Sequence, residues 1–199
     1  MLNILGNMAH YTSELWGLLD RALSTLYFYI RAAFWGVKVG VGISARGSVY
    51  FSRRQDSCIA VGNNCNFLSR TTSNKVGIYC PCMISTIEKN ALIKIGDRCG
   101  FSGVRIWAAK EIVIGDDVRC GANVFITDSD AHTTDGRAGK DAPVRIENKV
   151  WLGTNVMVLK GVHIGENSVV GAGSIVTHDI PANVIAAGNP CKVIKELRR

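Results

Sequence analysis

The hydrophobic positions in the C-terminal half of the chain repeat every six residues. Between residues 146 and 176, every sixth residue is a branched aliphatic: Ile146, Leu152, Val158, Ile164, Val170 and Val176. The residue two positions before each of these is small or β-branched, as at Val144, Val150 and Ser168. Two same-facing residues separated by one other residue are typical of a short strand with one buried face. The pattern therefore predicts a series of short strands, and the glycines within it disfavour a helix.

Turn-forming segments separate these predicted strands. They are Gly153–Asn155, Gly165–Asn167 and Gly171–Gly173, and both Gly and Asn tolerate a positive φ. A repeat this short indicates stacked coils. Three strand-and-corner units would form one triangular coil, and successive coils would stack about 4.8 Å apart around a narrow aliphatic column.

Five motifs give the chain a resemblance to a known family. They are Asn148–Gly153 (NKVWLG), Gly161–Gly165 (GVHIG), Val170–Ser174 (VGAGS), Val176–Pro181 (VTHDIP) and Ala187–Ile194 (AGNPCKVI). The set resembles the hexapeptide-repeat acyltransferases, and within them the galactoside and maltose acetyltransferase group of sugar O-acetyltransferases. The resemblance implies a mainly β fold, a left-handed parallel β-helix, although parallel crossovers are usually right-handed.

The repeat divides the chain into three parts. Residues 1–35 lie outside it and show apolar spacings of three and four, which predict an amphipathic helical segment. Residues 36–185 form the predicted β-helix, interrupted by a polar insertion at 127–143, and an insertion in a rigid repeat favours a functional loop. Residues 186–199 form a basic C-terminal tail for which we consider a short helix.

The N-terminal segment allows two interpretations. Arg21 and Arg31 interrupt its apolar stretch, which argues against a transmembrane span. We favour a helix packed on the prism or on a neighbouring subunit. Because aromatic residues are concentrated here, the alternative is a helix at a membrane surface.

Net charge and cysteine content restrict the ligands and the cellular compartment expected for this protein. The formal net charge is +7, which suits an anionic ligand such as a coenzyme phosphate or an anionic membrane surface. We expect no nucleic-acid partner, because no basic run is interleaved with aromatic residues. Seven cysteines without a signal peptide predict a reducing compartment, the cytoplasm, and their spacings fit core positions better than metal ligands.

His132 is the candidate catalytic residue. It lies in the insertion near Asp128, Asp130 and Asp135. In the resembled family, a histidine in the matching loop before a Val-Trp-x-Gly motif is the general base. A neutral imidazole can take the proton of a sugar hydroxyl that attacks a thioester carbonyl. We therefore predict His132 as the base, oriented by Asp130 or Asp128, and the alternative is a loop histidine without a role.

Three residues are candidates for binding the acceptor. Relatives place a polar contact to the acceptor sugar at the spacing of Asn123, although a corner asparagine is an equal alternative. Trp151 points outward from the predicted prism and could line the acceptor cleft or a subunit interface. Arg137, within the insertion, is the third predicted acceptor contact.

The expected coenzyme contacts come mainly from the resemblance. Gly153 and Thr154 lie one predicted coil from Gly171 and Ala172, and small residues at these corners would let a pantetheine arm lie along the coils. The resemblance places four further contacts toward the nucleotide end of the coenzyme: Thr177, His178, Lys192 and Lys195. His178 stands where the family often has a basic residue, which weakens one expected phosphate contact.

Together these features predict an acetyl-CoA-dependent acetyltransferase that modifies a sugar hydroxyl in surface polysaccharide synthesis. We expect acetyl-CoA as co-substrate, no metal, a homotrimer, and a lipid-linked or nucleotide-linked glycan acceptor. The location would be cytoplasmic, with the inner membrane face an option through residues 1–35. The alternatives are a metal-dependent hydratase of the γ-carbonic-anhydrase type, a non-catalytic scaffold, or an amino-sugar N-acetyltransferase.

Overall fold

The computed structural model describes residues 2–132 and 134–197, and gives only the backbone for residues 2–13 and 15. The described chain contains one helix, α1 (Leu2–Phe34), followed by strands. The strands are, in order, β1 (Lys38–Val39), β2 (Ser44–Arg46), β3 (Tyr50–Ser52), β4 (Cys58–Val61), β5 (Asn66–Leu68), β6 (Met83–Thr86), β7 (Leu92–Ile95), β8 (Gly100–Ser102), β9 (Arg105–Ala108), β10 (Glu111–Ile114), β11 (Arg119–Ala122), β12 (Phe125–Thr127), β13 (Val144–Ile146), β14 (Trp151–Leu152), β15 (Met157–Val158), β16 (His163–Ile164), β17 (Val169–Val170), β18 (Ile175–Val176), β19 (Val184–Ala187) and β20 (Lys192–Glu196).

Three sheets, parallel except for the final β19–β20 pair, form the walls of a triangular prism. Sheet A has the order β1-β4-β7-β10-β13-β16, and sheet C has the order β3-β6-β9-β12-β15-β18. Sheet B has the order β2-β5-β8-β11-β14-β17-β19-β20. From β1 to β18, each strand pairs with the strand one coil away, so the chain visits the three sheets in turn, as the six-residue repeat predicts. We name the prism edges by the sheets that meet there: A–B, B–C and C–A.

The inner column matches the repeat in the sequence. The six aliphatic residues from Ile146 to Val176 are each at most 1% exposed. At the N-terminal end, aromatic rings replace the aliphatic side chains, and the centroids of Phe67 and Phe101 stack 5.1 Å apart. Burial of this column is the main stabilising term, at about 25 cal/mol per Å² of apolar surface.

Side-chain hydrogen bonds connect successive coils along the A–B edge. The Oδ1 atoms of Asn63, Asp97, Asp116 and Asn148 each accept a backbone N–H from the preceding coil. Glycines beside them keep this edge narrow: a Cβ on Gly96 would lie 2.6 Å from the carbonyl carbon of Gly115. The hydrogen bond from the Asn63 N–H lowers the pKa of the Asp97 carboxyl. Polar side chains outside the hydrophobic column therefore stabilise the A–B edge.

Helix α1 covers the N-terminal end of the prism. The ring of Phe28 is fully buried and lies 5.2 Å from Phe51 and 5.1 Å from Phe67 between centroids. Ser24 and Thr25 accept the backbone N–H groups of Gly47 and Ala45, at 2.9 and 3.0 Å. Because β2 is the first strand of sheet B, these bonds satisfy an otherwise open sheet edge. No helix in the described part of the chain is long and apolar enough to cross a membrane.

The C-terminal tail is a strand, so the helix considered for it is wrong. β20 pairs antiparallel with β19, with Ala187 opposite Lys192 and Ile185 opposite Lys195. The physical reason is that β19 would otherwise end sheet B with open backbone groups, and a returning strand with Val193 and Ile194 suits that edge.

A second excursion from the repeat lies between Ser69 and Cys82, on the B–C edge. The unclear register of the repeat between Cys65 and Ala91 predicts bulges or loops in this stretch, but it does not give the bounds of this loop. The next strand, β6, returns to the prism in register with β3.

Candidate active site

The insertion containing His132 leaves the prism at the C–A edge, between β12 and β13. Its two ends are bonded to each other, because the N–H of Ala142 donates to the Asp128 carbonyl at 3.0 Å. Lys160, on the next coil, reaches into the insertion and bonds the Asp130 carboxylate and the Gly139 carbonyl. The insertion is therefore fastened to the coils on both sides, and Lys160 is a residue that the sequence analysis missed.

Asp128 fastens the insertion to the coil below it. The side chain is fully buried, and its Oδ1 accepts the N–H of Ala109 at 2.7 Å. Its Oδ2 accepts the N–H groups of Lys110 and Glu111 at 2.8 and 2.6 Å. Burial raises the pKa of this carboxyl, while the three N–H donors act in the opposite direction. All of its described partners are backbone groups, which indicates a structural anchor.

His132 lies at the exposed outer part of the insertion. Within residues 2–132 and 134–197, the structure gives its ring no hydrogen-bond partner, and neither Asp128 nor Asp130 forms a hydrogen bond or ion pair with it. Asp130 instead pairs with Lys160. Arg137 pairs with Asp135, N to O at 2.7 Å, and this arginine lowers the pKa of the Asp135 carboxyl. The orientation of His132 by an aspartate stays a prediction.

An open cleft of about 420 Å³ lies at sheet B and the B–C edge. It is lined by Trp151 together with all four predicted corner residues: Gly153, Thr154, Gly171 and Ala172. A Cβ on Gly153 would lie 2.6 Å from the Ala172 backbone nitrogen, so the corners stack too closely for a larger residue there. A cleft with small residues on its floor fits an extended, flexible chain such as a pantetheine arm.

The loop from Ser69 to Cys82 forms the other wall of this cleft. Asn74 and Val76 line it, and the Tyr79 hydroxyl lies 3.4 Å from Asn155 Oδ1 on the corner that follows Thr154. These residues were missed by sequence reasoning. The available signal was the polar run Ser69–Asn74, which is typical of a loop and interrupts the repeat.

Asn123 holds that loop in place. It sits at a corner with a φ of 61° and is 3% exposed. Its Oδ1 accepts the N–H of Tyr79 at 3.0 Å, and its Nδ2 donates to the Gly77 carbonyl at 2.9 Å. Both ends of the amide are occupied within the chain, which favours the corner interpretation over a direct acceptor contact.

The remaining predicted coenzyme residues divide between two edges. Lys192 pairs with Ala187 across the β19–β20 ladder. Ala187 packs against Gly171 of the cleft, since a Cβ added to Gly171 would lie 2.9 Å from the Ala187 Cβ. Lys192 is therefore close to the end of the cleft. Lys195 lies further along the same exposed strand. Thr177 and His178 lie instead on the C–A edge, with Thr177 Oγ1 2.8 Å from His178 Nδ1. In one protomer, sheet C separates that edge from the cleft.

Comparison with solved structures defines the class of fold. AntD, an N-acyltransferase from Bacillus cereus, matches with a TM-score of 0.65 at 20% identity, over 87% of this chain and 90% of that one. A putative acetyltransferase of Bacillus cereus matches with a TM-score of 0.53 at 23% identity, over 81% and 78%. The fold is a left-handed parallel β-helix with one N-terminal helix, as the family resemblance implies.

Sequence comparison confirms the resemblance over the C-terminal part. Residues 143–178 match the family model described as bacterial transferase hexapeptide (six repeats). Galactoside O-acetyltransferase of Escherichia coli is 48% identical over 90 residues, which cover 43% of this chain and 44% of the relative. The enzyme of the same name from Lactococcus lactis is 47% identical over 92 residues, 44% of each chain. The chain thus spans less than half the length of these two curated relatives.

Proposed function

We propose that this protein is an acetyl-CoA-dependent acetyltransferase that modifies a sugar hydroxyl. One observation carries the proposal: the segment matching the hexapeptide transferase model, 143–178, contains Trp151 and all four predicted corner residues that line the cleft. The galactoside O-acetyltransferase relatives support the choice of reaction and acceptor class. The basic composition suits a coenzyme that carries several phosphates.

His132 would act as the general base. Its neutral imidazole takes the proton of the sugar hydroxyl as the oxygen attacks the thioester carbonyl of acetyl-CoA. The carbon–sulfur bond then breaks, the thiolate of coenzyme A leaves, and it takes up a proton. Direct transfer needs no acyl-enzyme, and the buried thiols of Cys82 and Cys120, whose pKa values are raised by burial, suit core positions better than nucleophilic ones.

The separation of His132 from the cleft favours a site shared between subunits. His132 lies on the C–A edge and the cleft on the B–C edge, with sheet C between them. The outward row of sheet C is in register and mainly apolar: Tyr50, Met83, Arg105, Phe125, Met157 and Ile175. The corresponding row of sheet A carries Lys38, Lys94, Arg145 and His163. We infer that prisms pack through sheet C into a homotrimer, bringing His132 of one copy to the cleft of its neighbour.

Mixed assemblies test the shared site. His132→Ala removes the base, and Ala172→Trp fills the cleft from an exposed corner, so each variant alone should be inactive. If each site takes its base from one copy and its cleft from the next, random co-assembly in equal amounts should restore about a quarter of wild-type activity. Mixing the folded variants without exchange of subunits is the matched control. No recovery after exchange would place both groups in one protomer and contradict the shared site.

The acceptor is tested by a screen of acetyl transfer from acetyl-CoA to sugars, nucleotide sugars and lipid-linked sugars. We propose a glycan hydroxyl in surface polysaccharide synthesis, in the cytoplasm. Amino sugars belong in the same panel, because AntD was solved with a dTDP-linked amino sugar and coenzyme A. Transfer only to an amine would replace O-acetylation by N-acetylation, and a protein that binds no coenzyme A would favour the scaffold alternative.

A further inference from the structure

Helix α1 carries a row of large apolar side chains that are mostly exposed in the described chain. Their spacing of three and four residues places them on one side of the helix. Their exposed fractions run from 47% for Leu19 to 82% for Phe34. We call this row the outer face of α1: Trp16, Leu19, Leu23, Leu26, Ile30 and Phe34. Monomeric surfaces rarely leave a continuous apolar row of this length open, so it marks a contact surface.

The outer face points away from the end of the prism. The opposite side of α1 carries Ser24, Phe28 and Ala32, which are buried against the first coil. Because successive residues turn by about 100° around a helix, the outer face lies on the far side from that coil. It therefore looks outward along the prism axis, whereas the side-by-side packing of prisms proposed above would cover their lateral faces.

The same end of the molecule is basic. Residues 14–70 contain seven Lys or Arg against three Asp or Glu, more than half of the net charge of +7. Residues 1–13 contain no charged side chain other than a histidine. Arg21, Lys38 and Arg54 are exposed there, and Arg70 is exposed but paired with Asp20, N to O at 2.6 Å. An apolar helical face beside basic groups complements an anionic phospholipid surface, whereas two such ends brought face to face would repel each other.

We propose that the outer face of α1 docks this protein on an anionic phospholipid membrane. The helix lies in the plane of the lipid surface, with Leu23, Ile30 and Phe34 at the acyl boundary and the basic residues at the headgroups. The prism then stands on the membrane by its N-terminal end, and the three helices of a trimer would face the same surface. Multiple weak contacts of this kind add up to stable binding.

The test is sedimentation of the full chain with vesicles of phosphatidylcholine alone and with one quarter phosphatidylglycerol. The wild type should sediment with the anionic vesicles, and added salt should weaken binding. Leu23→Gln and Ile30→Gln together should reduce binding on the order of tenfold, since both side chains would leave the acyl boundary. Leu18→Gln is the matched control: it is a leucine on the same helix, 62% exposed, but off the outer face.

The results of this test distinguish a membrane from a second copy of the chain as the binding partner of the outer face. Vesicle binding that depends on Leu23 and Ile30 but not on Leu18 supports the proposal. Absence of binding to anionic vesicles overturns it, as does binding that the double variant leaves unchanged. If the double variant instead halves the mass in solution and no vesicle binding occurs, a second copy covers the face. Transfer to a soluble acceptor should be equal in all variants, so failure of the proposed reaction would be recognised separately.

Discussion

Substitution of Asp128 tests whether its buried carboxylate anchors the insertion to the prism or instead acts through His132. Asp128→Ala removes the acceptor of three backbone N–H groups, at 2.6 to 2.8 Å. Hydrogen bonds to a charged group contribute about 1.5–3 kcal/mol each. Removing the carboxylate also relieves the cost of burying its charge, which is reflected in its raised pKa, and water can reach part of the freed N–H groups. We therefore expect a net loss of about 3 kcal/mol in the free energy of unfolding.

Urea denaturation followed by circular dichroism measures this loss. Asp130→Ala is the matched control, because it is an aspartate in the same insertion whose Lys160 contact is partly exposed. It should cost less than about 1 kcal/mol. If Asp128→Ala costs no more than Asp130→Ala, the anchor role is refuted. If Asp128→Ala leaves the fold intact but removes kcat, the carboxylate acts through His132 instead.

Three further predictions concern the end cap, the buried thiols and the coenzyme. Phe28→Ala should lower the free energy of unfolding in urea by about 3–5 kcal/mol, because its ring closes the core column. Phe34→Ala, at an exposed position, should lower it by less than about 0.5 kcal/mol. Equal losses for the two variants would contradict the role of Phe28 as the end cap. Burial raises the pKa of Cys82 to about 11, so the unfolded chain loses this thiol proton at a lower pH than the folded chain. Stability should then fall as pH rises above about 8.5, by up to about 1.4 kcal/mol per pH unit for this thiol, and Cys82→Ala should flatten the slope; an unchanged slope would contradict this. Lys192→Ala should weaken coenzyme A binding about two- to fivefold at low salt in calorimetry, with Lys94→Ala on sheet A as the unaffected control; equal affinities would remove Lys192 from the site.

The sequence was sufficient to predict the prism because the repeat and the fold share one geometric cause. A buried position every sixth residue requires a corner between strands, so the aliphatic residues at 146–176 specify both the column and the turns. The same arithmetic stacks Gly153 beneath Gly171, and the structure shows both in one cleft with Trp151.

The contacts that could not be predicted join segments without a fixed spacing. Asp128 bonds the coil below through backbone N–H groups, and any polar loop residue could do so. Asn123 holds Gly77 and Tyr79 across more than forty residues of chain. The tail was misjudged because its need for a strand comes from the open edge of β19, a property of the assembled sheet and not of the residues Lys192–Glu196.

The central claim is that His132 is the base for acetyl transfer. The most direct measurement is kcat for His132→Ala with acetyl-CoA and the acceptor identified by the screen, together with coenzyme affinity. Because His132 is exposed and outside the core, the variant should fold and bind coenzyme as the wild type does, while kcat falls about 10²–10⁴-fold. His163→Ala, at an exposed histidine that contacts Glu147 on sheet A, should keep wild-type kcat. A His132→Ala protein with near wild-type kcat would contradict the mechanism.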